Sequence, residues 1–248
     1  MNPILELHAI SAGYDGKTVL RHVDFAIEEG DFIGIIGPNG GGKTTLLKVI
    51  LGLLKPSAGE VVYHTPKQNL FGYLPQNSRF DRRFPIDVTE VVLSGLLSEK
   101  GLHGTYTRDD RRKAWELLEK YGMGDYRKAS IGELSGGQMQ RVFLCRAVIS
   151  SPRILILDEP TTYVDSNFEK EFYPILLELN RTLSIVMVSH DLGTICSYVK
   201  TIACVNRGLH YHRSNLITPE QLRAYHCPIE LITHGHVPHR VLGEHDNP

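Results

Sequence analysis

The stretch that decides the fold is Gly37-Pro38-Asn39-Gly40-Gly41-Gly42-Lys43-Thr44-Thr45. Phe32-Ile33-Gly34-Ile35-Ile36 runs into it, and Leu46-Leu47-Lys48-Val49-Ile50-Leu51 leads away. The first run is short and rich in β-branched residues, which reads as a buried strand. The second carries helix formers with apolar positions on one face. Between strand and helix lies the spacing G-x-x-x-x-G-K-[ST] of a phosphate-binding loop. Small residues let backbone N–H groups close around phosphate oxygens, and the following helix points its positive end at them. Lys43 adds a point charge for the β- and γ-phosphates, and the Thr44 hydroxyl is placed to ligate Mg2+. An ordinary glycine-rich turn needs neither the Lys-Thr ending nor these flanks. The stretch predicts binding of a nucleoside triphosphate.

Further along, Ile154-Leu155-Ile156-Leu157 ends in Asp158-Glu159. A hydrophobic strand there delivers two carboxylates to the C-terminal edge of a sheet, where parallel α/β sheets bind ligands. Asp158 suits a Mg2+ shell, directly or through water. Glu159 is placed to orient or deprotonate an attacking water. Adjacent acids alone would be plain surface charge; paired with the phosphate loop they favour hydrolysis. A third motif, Leu134-Ser135-Gly136-Gly137-Gln138, precedes a helix from Met139. Ser135 is a candidate N-cap, and the glycines expose backbone donors where a phosphate can bind, although a bare cap and turn has the same pattern.

Around these motifs, residues 4–36 alternate apolar and polar positions as half-buried antiparallel strands do, at Ile4–Ile10, Thr18–Leu20 and Val23–Ile27. Tyr14 falls in a turn suited to displaying its ring. Lys55–Gly59 reads as a loop, then Val61–Tyr63 and Leu70–Leu74 as strands. From Pro75-Gln76 the character changes. Residues 87–98, 109–121 and 138–149 have helical spacing, with Trp115, Leu117 and Leu118 expected to pack. After Pro152, strands (154–157, 183–188) alternate with helices (166–180, 191–198), and 201–212 reads as a hairpin about Asn206-Arg207-Gly208. The class is α/β, a parallel sheet flanked by helices, with a helical insert at about 77–150.

Bulk properties narrow the partners. The 248 residues carry a net charge of −1 with scattered Arg and Lys, which gives no electrostatic case for nucleic acid. No apolar run approaches the roughly 20 residues needed to cross a bilayer. Met1–Glu6 lacks the basic and apolar segments of a signal peptide, so a cytosolic location is expected. Cys145, Cys196, Cys204 and Cys227 have no CxxC spacing. The apolar neighbours of Cys145 and Cys204 suggest buried free thiols.

Leu-Ser-Gly-Gly-Gln set between a phosphate loop and a strand ending Asp-Glu resembles the signature of ATP-binding cassette (ABC) ATPases, over residues 4–212. The resemblance implies a RecA-like parallel-sheet core with an antiparallel β subdomain and a helical subdomain, together making a domain at 1–224 before an extension at 225–248. It implies ATP and Mg2+ as ligands. It makes Tyr14 the aromatic residue stacked on adenine, and Gln76 the glutamine that approaches Mg2+ and couples the helical lobe to nucleotide. His190, in Val188-Ser189-His190-Asp191, is similar to the switch histidine that contacts the γ-phosphate. Asp165 is similar to the acid of the segment bridging two subunits, although Val164 stands where Leu is usual. Gly41 and Thr44 replace the commoner Ala and Ser. Ser135, Gly136, Gly137 and Gln138 would serve the ATP held by another copy's loop, so a homodimer is implied, driving a membrane permease fed indirectly by a solute-binding protein.

Phe80–Gly95 and Ile131-Gly132-Glu133 resemble the cassettes of bacterial zinc and manganese importers, which makes residues 77–90 the expected permease-docking surface. Iron-chelate or other importers, and soluble ABC ATPases acting on DNA or ribosomes, are the alternatives. The latter usually carry long coiled coils or two cassettes, and neither is seen. The tail from Tyr225 to His245 collects five histidines and Cys227. It is either a metal-responsive segment or a packed extension with incidental histidines.

Overall fold

The computed structural model describes residues 3–76, 84–101, 104–161, 164, 166–212, 214–215, 231–233 and 238–240. It divides into two compact units, residues 1–64 with 186–248, and residues 65–185.

The first unit begins with two twelve-residue strands, β1 (Pro3–Tyr14) and β2 (Lys17–Glu28), joined through Asp15-Gly16 and paired antiparallel. Shorter strands were expected because polar residues interrupt the alternation. Register shifts between Leu7 and Ile10 and between Ile10 and Ala12 absorb those interruptions. Ala9, at φ 50°, sits among them, and its N–H donates to Asp24 Oδ1 at 2.8 Å. Next come β3 (Phe32–Ile36), buried at all five positions, and α1 (Lys43–Ile50). β4 (Ala58–Tyr63) completes a three-stranded sheet in the order β2-β1-β4. The expected loop at 55–59 is thus shortened, because Ala58 already pairs with Ser11.

In the second unit β5 (Phe71–Leu74) is followed by α2 (Val88–Leu93), a 3-10 turn (Ser94–Leu96) and α3 (Leu97–Lys100). One helix over 87–98 was expected. It breaks at Ser94, whose hydroxyl donates to Val91 O at 2.6 Å, and at Gly95, where a Cβ would stand 2.1 Å from Arg146 O. Only glycine lets the turn approach that backbone.

α4 (Arg108–Lys120) and α5 (Gly136–Val148) follow, then β6 (Ile154–Asp158), α6 (Ser166–Leu179) and β7 (Ser184–Val188), inside which the division falls. On α4, Leu118 is buried as expected, but Trp115 is 43% exposed; its Nε1 donates to Thr89 Oγ1 at 3.2 Å and Arg127 lies over its face at 5.6 Å. β5 and β6 are parallel, with Leu74 opposite Leu157, and Ser184 N donates to Arg153 O at 2.9 Å. Phe168 and Phe172 of α6 stack at 4.9 Å.

The chain then returns to the first unit through α7 (Leu192–Ile195), β8 (Thr201–Asn206) and β9 (Gly208–His212). There β3 pairs parallel with β8, and β8 and β9 form the expected hairpin. β10 (Leu231–Thr233) and β11 (Pro238–Arg240) pair antiparallel. β3, β6 and β7 are buried along their whole length, as parallel strands covered on both faces are. Cys145 and Cys204 are buried cysteines outside any disulfide, as expected, Cys196 is half-buried, and Cys227 lies outside the described residues. Burial pushes the Cys145 thiol up to about 12. Among the described residues no helix is long and apolar enough to cross a membrane.

α4 shows how the helical segment is pinned. Thr107 Oγ1 accepts from Asp110 N at 3.1 Å, and Asp110 Oδ2 accepts from Thr107 N at 2.7 Å, a reciprocal cap. Lys100 Nζ lies 2.7 Å from Asp110. The Lys100 hydrogen bond, with those from Thr107, lowers the Asp110 carboxyl to about 2. Thr107→Ala should therefore cost about 1 kcal/mol in urea denaturation. The Asp110 contribution is fully present above the ordinary carboxylate range and is lost as pH falls through about 2. The stability gap between the parent and Asp110→Asn should shrink accordingly on acidification.

Candidate functional site

The phosphate loop leaves β3 and enters α1 within the first unit. Its glycines answer two demands. Gly37 (φ 146°) and Gly42 (φ 109°) hold backbone conformations that side chains resist. The other demand is space. A Cβ on Gly37 would stand 2.1 Å from Val205 O, and one on Gly41 would stand 2.7 Å from the same oxygen. The glycine at 41 therefore fits the close passage of β8. Arg207 N also donates to Gly41 O at 2.8 Å, so the β8–β9 turn is tied to the loop. Leu20 of β2 fills the space that a Gly42 side chain would take.

α1 starts at Gly42 with no side-chain cap, whereas Asp87, Thr107 and Ser135 cap α2, α4 and α5. Its first N–H groups are left to be satisfied by something other than a capping side chain, and an anion is the natural partner. Lys43 is buried, and its Nζ donates to Gly37 O at 2.9 Å and Pro38 O at 3.1 Å, which holds the ammonium against the loop. Thr45 is buried while Thr44 is exposed. Tyr14, the last residue of β1, is 40% exposed, with Lys48 Nζ 5.2 Å from its ring centroid. His190 follows β7, and the adjacent Ser189 N donates to Ile35 O at 3.2 Å, which brings the histidine's segment beside the strand that feeds the loop. Asp191 turns inward to α7, its Oδ2 accepting from Thr194 Oγ1 at 2.6 Å.

In the second unit, Asp158 and Glu159 are buried at the end of β6. The parallel register puts the residues after Leu74 at the same edge, so Gln76 reaches Glu159 and its Nε2 donates to Glu159 Oε2. The sequence placed both residues in the site, but this direct bond between them emerges only from the β5–β6 register. Glu159 holds φ 51°, a left-handed backbone that is uncommon for a non-glycine residue. Tyr73 on β5 lies near Asp158. Burial, and then that negative charge, push its phenol up to about 12.

The signature stretch has the expected N-cap and more. Ser135 Oγ accepts from Gln138 N at 3.3 Å, and Gln138 Oε1 accepts from Ser135 N at 2.9 Å. A Cβ on Gly137 would stand 2.9 Å from Phe168 of α6, so the start of α5 rests on that ring. Arg141 ties the same helices together, bonding Tyr121 O at 3.1 Å and pairing with Glu171. Phe168 and Val205 were missed by sequence reasoning; each is an ordinary apolar residue far along the chain from the motif that it supports. Asp165, residues 77–83 and the side chains of the tail lie outside the described residues. Among the described residues no three His, Cys, Asp or Glu side chains are grouped to hold a metal.

The residues assigned to Mg2+ (Thr44, Gln76 and Asp158) offer a hydroxyl, an amide and a carboxylate, the hard oxygen donors that this ion takes. Gln76 fits in a further respect, since giving its amide nitrogen to Glu159 leaves an oxygen at the other end of the amide.

Known proteins resemble this chain closely. The sequence description of the ABC transporter family matches residues 20–162. A zinc uptake system ATP-binding protein, ZurA, of Listeria innocua is 44% identical over 84% of each chain. A probable metal transport system ATP-binding protein of Thermotoga maritima is 37% identical over 94% of each. A dimeric solved structure of a bacterial ABC transporter cassette superposes with a TM-score of 0.73, covering 86% of this chain and 100% of that one at 24% identity. With a phosphate loop, a strand ending in paired carboxylates and a capped signature helix in place, the chain belongs to the ABC transporter family.

Proposed function

We propose that this chain is the ATP-hydrolysing subunit of an importer for a divalent metal such as zinc or manganese. The phosphate loop on an uncapped helix carries the nucleotide part of this reading. Kinship with the zinc uptake protein directs it towards metal transport.

In this reading the triphosphate lies on the loop backbone from Gly37 to Thr45, with Lys43 moving from the loop carbonyls to the β- and γ-phosphates and adenine stacking on Tyr14. Thr44, Gln76 and Asp158 would hold Mg2+, which when bound neutralises charge on the phosphates. Glu159 takes a proton from water as the new oxygen–phosphorus bond forms. The γ-phosphorus parts from the bridging oxygen, which leaves with ADP. His190 contacts the γ-phosphate and helps to hold the water. In the resting arrangement the Gln76 amide occupies one oxygen of the base, so Gln76 links the base to the segment that follows it.

Ser135 to Gln138 would act on the ATP of a second copy, with Asp165 in the bridging segment. The dimeric relative supports a homodimer. ATP would favour the closed dimer and hydrolysis would release it. The permease would dock on residues 77–90, where Phe84 is 57% exposed, placing the chain on the cytoplasmic face of the membrane. The boundary between the ATPase domain at 1–224 and the extension at 225–248 belongs to the same proposal.

Glu159→Gln should keep ATP affinity and lower turnover about a hundredfold to ten-thousandfold, leaving a closed dimer visible by size. Turnover at the parent rate would remove Glu159 as the base. Lys43→Ala should weaken ATP binding itself by about tenfold to a hundredfold in equilibrium titration. Capture from membranes with a polytopic protein, and metal uptake lost on Glu159→Gln in cells, tests the transport assignment. Nucleic-acid-stimulated ATPase activity without a membrane partner would overturn it.

A further inference from the structure

α1 presents a narrow exposed face. Lys43, Thr45, Leu46, Leu47, Val49 and Ile50 are buried, which leaves Thr44 and Lys48 as the residues turned outward. They are four apart, so they sit one above the other, about 6 Å apart along the axis. The lower of the two, Thr44, stands in the first turn of the helix beside the phosphate loop. The upper reaches Tyr14, with its Nζ 5.2 Å from the ring centroid. Both belong to the first unit, as do the loop and β1. Along one face of one short helix, the order from the loop is therefore hydroxyl, ammonium, aromatic ring.

We propose that Lys48 is a positioning residue that sets the aromatic platform for the base of the nucleotide. This rests on the reading of Tyr14 as the ring on which adenine stacks. Tyr14 closes β1 at a two-residue turn and is 40% exposed, so its ring needs an anchor if it is to meet a planar ligand in one orientation. An ammonium held over the ring supplies that anchor through the negative face of the π system. It also takes up one face and leaves the other for the base. Because Lys48 rides on the helix that carries Thr44, the platform keeps a fixed distance from the phosphates. The loop and the ring then act as a gauge for the length of a nucleoside triphosphate.

A lysine in the last turn of a helix is also a common partner for the helix dipole. That role would change stability and would not distinguish between ligands. The deciding experiment measures dissociation constants for ATP and for inorganic triphosphate, each with Mg2+, on the full-length chain. The variants are Lys48→Met, Lys48→Arg, Tyr14→Ala and the Tyr14→Ala/Lys48→Met pair. Lys48→Met should weaken ATP about two- to fivefold and leave triphosphate unchanged, whereas Lys48→Arg should keep ATP affinity. Tyr14→Ala should weaken ATP, and adding Lys48→Met to it should cost nothing more. Equal losses for ATP and triphosphate, or a Lys48→Met loss that persists without Tyr14, would make Lys48 a phosphate contact and overturn the proposal. So would an unchanged ATP affinity in Lys48→Met, while a loss in Tyr14→Ala would keep the adenine reading standing. Unchanged ATP affinity in Tyr14→Ala would overturn that reading first, and this inference with it.

Discussion

Val205 O lies so close over the loop that a methyl group on Gly37 would stand 2.1 Å from it and one on Gly41 2.7 Å. This backbone-on-backbone passage is the constraint on which the first unit depends. It fixes the loop from the side of β8, while Leu20 fixes it from the side of β2, and α1 is launched with its first N–H groups uncapped. In α2, α4 and α5 a capping side chain accepts from one of those donors. α1 has no such side chain, and an uncapped helix following a loop in which Gly37 and Gly41 have no room for a Cβ is a place for an anion.

The second unit solves a different problem, which is to hold carboxylates in a dry setting. β6 is buried at every position and ends at Asp158, with Glu159 next, also buried. Burying a charge is costly unless it is paired or hydrogen-bonded. The Gln76 amide meets that need for Glu159, and the parallel β5–β6 register is what puts it there. The signature helix follows the same economy: Ser135 and Gln138 satisfy each other, and Phe168 supports the glycine between them.

What was legible in the sequence was chemistry written in consecutive residues. The phosphate loop, the strand ending Asp158-Glu159 and the Ser135 cap each follow from local spacing, and so do the buried strands on either side. Boundaries failed where long-range packing overrode local pattern. β1 runs through its polar interruptions because bulges against β2 absorb them. The helix expected over 87–98 breaks because Gly95 must pass the Arg146 carbonyl. Trp115 packs as expected, but at the surface, half-exposed under Arg127. Val205 and Phe168 could not be picked out, since their importance is a distance to a glycine, and no residue type announces that.

Glu159 at φ 51° has one more consequence. An L-residue in that conformation costs on the order of 1 kcal/mol, a cost that glycine escapes. Glycine at 159 would relieve that cost, whereas any other L-residue would keep it. Position 159 is a point where the pressure to persist as a folded protein and the pressure to work oppose each other. Glycine there would ease the backbone, but it would also remove the carboxylate that the Gln76 amide meets.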